Sequence, residues 1–215
     1  VRAAFRDVLQ DRPFWLFITV VTLLAFTTSF YTLATPFWAK YTLGAGPRAP
    51  SLVFATVFIV AIASVWLWNR NVRALGDKRT WLWAVAVMLS SALVLGLAPN
   101  LIVGLLGAAL AGFGLGGIKV CRKMIVATMV DRSLARTGHR REGVYYSVLR
   151  VFGKLSKVLE AGALALLGVL FGYVSGTEPG PDPGNAFRFL IGAFPFVFLV
   201  LALGLSWRLD LGGDK

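Results

Sequence analysis

Asp131–Lys154 reads DRSLARTGHRREGVYYSVLRVFGK. An apolar segment ends where it begins, a strongly basic loop follows, and a second apolar segment then carries Arg150 and Lys154 inward. Lys154 stands eleven residues after Gly143, about 16 Å in at about 1.5 Å per residue. That is near the middle of a hydrocarbon layer about 30 Å thick. Charge at such depth is expensive and marks a functional site by default. The remainder of the chain reads as the scaffold that places these cations.

Of 215 residues, 57% are hydrophobic and only 15% charged, against about 25% charged in soluble domains. So few polar side chains cannot coat a globule, but they suit a bilayer. The formal charge of +12 is not interleaved with aromatics in a soluble module. It reads as membrane orientation, with no nucleic-acid partner. Cys121, the only cysteine, lies in an apolar segment and reads as a packed, inert thiol. The chain opens on Val1, and its VRAAFRDVLQDR lead-in lacks the apolar core and cleavage site of a signal peptide. It reads as the start of a fragment.

Six apolar segments approach or exceed the roughly 20 residues that span a bilayer: Phe14–Tyr41, Ser51–Asn69, Thr80–Ala98, Leu101–Val130, Gly143–Tyr173 and Ala186–Trp207. No period-two alternation supports a barrel, so the segments are helices. Every tryptophan falls near a segment end, as in an aromatic belt. Basic residues gather before the first segment, between the second and third, between the fourth and fifth, and after the sixth. The positive-inside rule then puts both termini in the cytoplasm. The Glu178–Asn185 stretch reads as an irregular outer loop. Gly112 and Gly116 have the spacing of a close helix contact, and Pro36 predicts a kink.

Arg150, Lys154 and Lys157 recur at i, i+4 and i+7 on one helix face, with Tyr146 one turn earlier. They are candidate substrate-binding residues. Lys157 has a second reading, as a cation neutralised by Glu160 three residues on. Thr28 and Tyr31, with Thr32 and Thr35, put hydroxyls on one face of the first segment, to hold substrate or to join helices. Asp131, Arg140, Arg141 and Glu142 form a candidate gate at the cytoplasmic rim, with Asp77 and Arg79 as a weaker contact of the same kind. The alternative there is a solvated loop that only sets topology. No metal-ligand cluster, phosphate loop or activated nucleophile is present, so no enzyme and no cofactor is expected.

Several local patterns resemble the glycoside–pentoside–hexuronide:cation symporters, the melibiose-permease-like branch of the major facilitator superfamily. WAKYTLG at Trp38–Gly44 is similar to the family's run after the seventh helix, and LGDKRTW at Leu75–Trp81 to its loop between helices eight and nine. Asp131, the TGHRREG run at Thr137–Gly143, Tyr146, Ser147 and Lys154 match together. The resemblance implies the C-terminal half of a transporter: an all-α bundle of six transmembrane helices in two inverted three-helix repeats, Phe14–Ala98 and Leu101–Trp207. The lead-in is 1–13, the bundle 14–207 and the cytoplasmic tail 208–215. It implies cation-coupled symport of a small solute by alternating access in a bacterial inner membrane. The lysine matched by Lys154 adjoins the sugar and cation sites. The coupling cation, sodium or proton, is bound mainly by an N-terminal half absent here, unless a second copy completes the pathway. Arg150 and Lys157 make the expected cavity positive, Lys119, Arg122 and Lys123, which depart from the family pattern, add to it, and an anionic or amphiphilic solute is favoured over a neutral sugar. The other reading is a non-transporting membrane subunit or biogenesis factor on a transporter-derived fold.

Overall fold

A computed structural model describes residues 12–137, 142–174 and 180–209. They form six helices: α1 (Arg12–Phe37), α2 (Ala49–Leu75), α3 (Asp77–Leu97), α4 (Leu101–Thr137), α5 (Glu142–Phe171) and α6 (Pro183–Trp207). Directly after Pro36 the first helix widens into a π turn, Trp38–Thr42. Five helices are long and apolar enough to cross a membrane: α1 with its π turn, α2, α3, the first 31 residues of α4, and α6. The sixth expected span, α5, is a 30-residue helix and so has the length. Arg150, Lys154, Lys157 and Glu160 in its middle keep it from qualifying by composition.

Helix ends run past the apolar segments. α2 continues six residues beyond Asn69 to Leu75, and Gly76 stops it at φ +80°. Only glycine takes that backbone angle freely. α4 continues seven residues beyond Val130 to Thr137. In both, charged turns remain helical outside the apolar zone. The loop expected at Glu178–Asn185 ends earlier. Pro183 opens α6, and the Asn185 backbone N–H donates to Asp182 Oδ1 at 3.2 Å. Proline suits the first helical position because its missing N–H would have had no partner there.

α4 packs against α3 and α2, α1 against α6 and α5, and α3 against α6. Lipid gives no hydrophobic reason for two helices to meet, so close backbone approach matters. The glycines of α4 supply it on two sides. A Cβ at Gly112 or Gly116 would strike the α2 backbone at Val57 or Ala61, and one at Gly114 would strike α3 at Met88. Gly117 leaves room for the Trp68 ring, whose Nε1–H donates to the Phe113 carbonyl at 2.9 Å. The α3–α6 seam is pinned at both ends: Gly96 lies on Gly192, and Trp81 Nε1–H donates to Ser206 Oγ at 2.9 Å.

These contacts correct the belt reading of the tryptophans. Trp38, Trp68 and Trp81 are buried, whereas Trp66, Trp83 and Trp207 are exposed. Segment-end position is shared by belt and core residues, and only the face of the helix separates them. Along α1 and α6 a series of phenylalanines fills the interface, with Phe30 stacked on Phe194 and Phe37 on Phe187.

Candidate functional site

A cavity of about 560 Å³ lies between α1, α2, α3 and α4. α1 gives it Thr28, Tyr31, Thr32 and Thr35, positions that share a face through their three- and four-residue spacings. α2 adds Val53, Val57 and Phe58, α3 adds Met88 and Leu95, and α4 adds Leu115, Lys119 and Arg122. The lining is mainly apolar, and no carboxylate belongs to it.

The hydroxyl protons of this cavity are already committed. Thr28 Oγ1 donates to the Ala25 carbonyl at 2.9 Å, Thr32 to Thr28 at 2.9 Å and Thr35 to Tyr31 at 2.6 Å. Ser91 Oγ donates to the Met88 carbonyl at 2.6 Å and lies 3.0 Å from Tyr31 Oη. With the serine proton spent, Tyr31 is the donor of that pair. Tyr31 therefore joins α1 to α3 while its ring lines the cavity, and the threonines offer only acceptor lone pairs.

Lys119 and Arg122 are the cations of the cavity, and the sequence reading gave them only a supporting part. Lys119 is exposed and Arg122 half-buried. They stand twelve and nine residues before Asp131, so about 18 and 14 Å along the helix at about 1.5 Å per residue. Among the described residues neither forms an ion pair. Their signal was present in the sequence as two charges one turn apart inside an apolar run.

α5 gives no residue to the cavity lining. Leu149, Ala163 and Leu167 turn into the bundle, and the exposed remainder divides into two flanks. At about 100° per residue, Tyr146, Arg150, Lys154 and Lys157 fall on one flank. Val151, Leu155, Val158 and Val169, all exposed, fall on the other. The flanks are centred about a third of a turn apart. Tyr146, on the charged flank, lies within electrostatic range of Arg122. Lys157 Nζ is bonded to both oxygens of Glu160, at 2.9 and 3.0 Å. Arg150 and Lys154 are exposed, and among the described residues neither has an ionic partner.

At the rim, Asp131 is exposed at the far end of α4. Arg140 and Arg141 lie outside the described residues, as does the side chain of Glu142, so their expected pairing with Asp131 is not seen. The Asp77–Arg79 contact is not made: among the described residues no ion pair joins them. Positions two apart on a helix point to different sides. At the opposite end of the bundle, Arg188, which the sequence reading passed over, donates from Nη2 to the Ala98 carbonyl at 3.3 Å. It ties the start of α6 to the end of α3.

The family described as MFS/sugar transport protein matches residues 1–213. No curated protein matches the chain.

Proposed function

Because the chain belongs to the MFS/sugar transport protein family, it is an integral membrane protein of a major-facilitator transporter, and we propose that it works by cation-coupled symport of a small anionic or amphiphilic solute. The coupling ion is sodium or a proton. The pathway forms where the cavity and the charged flank of α5 meet a second six-helix unit, either an N-terminal half or another copy. Both termini face the cytoplasm of a bacterial inner membrane.

The observation that carries this reading is the division of α5. An ammonium facing lipid at mid-depth costs about 2.5–3.5 kcal/mol on insertion scales. Lys154 lies at the edge of the charged flank, one turn from Arg150 and one turn from Val158, and its alignment with Tyr146 and Arg150 supports a protein or solute neighbour for it. The packing also supports two inverted repeats. Exchanging α1 with α4, α2 with α5 and α3 with α6 maps each major helix contact onto another: α1–α6 onto α4–α3, α1–α5 onto α4–α2, and α3–α6 onto itself. Asp131, Arg140, Arg141 and Glu142 then gate the cytoplasmic side.

Proteoliposomes holding the full-length transporter should accumulate decanoate or glucuronate, offered separately, under an inward sodium or proton gradient. In Lys154→Ala, gradient-driven uptake should drop at least about ten-fold, the effect of removing a charged hydrogen bond, with expression retained. Equal uptake with and without both gradients would end the coupling claim. Normal uptake in Lys154→Ala would remove the lysine from the site.

A further inference from the structure

We propose that the cavity between α1, α2, α3 and α4 binds an amphiphilic anion, with its apolar body against α1 and α2 and its anionic head on Lys119 and Arg122. This deepens the transporter reading and rests on it.

The cavity's supply of hydrogen-bond donors decides the ligand class. A neutral sugar carries hydroxyls around its whole ring and needs donors and acceptors on several sides. Here Thr28, Thr32 and Thr35 give their protons to their own helix, and Tyr31 gives its proton to Ser91. The remaining donors in the lining are the Lys119 ammonium and the Arg122 guanidinium, both on α4. Around them stand Val21, Leu24, Phe54, Phe58, Leu115 and Ile118. A polyhydroxy ligand placed there would leave hydroxyls facing methyl and ring surfaces, and each buried polar group without a partner is costly. An alkyl or aryl chain suits those walls. A carboxylate, sulfonate or phosphate matches the two cations, which lack a carboxylate of their own among the described residues. The volume, about 560 Å³, is that of a small-ligand site.

The test is a binding measurement that requires no transport. In nanodiscs, Ala25→Cys in the full-length protein, with native cysteines replaced, reports occupancy through its rate of maleimide labelling. The probes are decanoate, decyl glucoside and glucuronate. Decanoate should slow labelling saturably, whereas decyl glucoside and glucuronate should need at least about ten-fold more ligand, each lacking one half of the match. Lys119→Gln with Arg122→Gln should raise the decanoate requirement about ten-fold or more. Lys119→Arg with Arg122→Lys should restore it, which separates lost charge from lost folding. Equal protection by decanoate in the glutamine variant, stronger protection by glucuronate, or no protection by decanoate would each overturn the proposal. Protection with no uptake in proteoliposomes would overturn the transport reading instead.

Discussion

Lys154 and Lys157 share one helix face in the sequence, and the structure gives them different surroundings. Lys157 is 73% exposed and paired with Glu160, which is only 12% exposed. Its charge is met within its own helix. Lys154 has no such neighbour, because Glu160 is six residues away and the geometry of a helix turns it to another side. Because Glu160 is mostly shielded, removing its partner leaves the carboxylate unsatisfied, at a cost of about 1–3 kcal/mol. Lys157→Gln should therefore lower the melting temperature while leaving gradient-driven uptake close to wild type, as read by thermal shift and proteoliposome assay. Loss of uptake comparable to that of Lys154→Ala would put Lys157 in the site. The Lys157–Glu160 pair was legible because an i, i+3 relation is local. The use of Tyr31 was not, since its partner Ser91 is 60 residues away and no pattern in α1 announces it.

On the scale of the helix, apolar run length located all six elements, and α4 shows why packing was partly legible as well. Gly112 and Gly116 were visible as a spaced pair, and they do meet the α2 backbone. That Gly107 and Gly114 form a second contact row, against α3, needed the fold. Helix ends were less legible, because hydropathy marks where a chain leaves lipid rather than where a helix stops. Gly116→Leu should force α2 and α4 apart at Ser64 and Ala61 and cost about 1–3 kcal/mol, as overpacking does. Gly204 in α6 has open space where a Cβ would go, so Gly204→Leu is the control. Thermal unfolding in detergent should separate the two variants. Equal melting temperatures would mean that the α2–α4 contact is looser than its geometry implies.

For the whole molecule, membership of the major facilitator superfamily and the all-helical architecture were legible, and the cavity was not. Its walls come from four helices that no local pattern groups together. Its cations sit on α4, whereas the strongest sequence signal pointed to α5. Tyr146, on the α5 flank that carried that signal, lies within electrostatic range of Arg122. In the alternating-access account this cavity opens first to one side of the membrane and then to the other. Removing the rim cations through Arg140→Ala with Arg141→Ala should shift that balance. Sided labelling of Thr32→Cys in the full-length transporter, with native cysteines replaced, is the most direct measurement. Membrane-impermeant maleimide should reach the cysteine in both right-side-out and inverted vesicles, and a saturating transported anion should change the ratio of the two rates. Labelling from one side alone, with a ratio that neither anion nor rim variant moves, would contradict a transport pathway through this cavity.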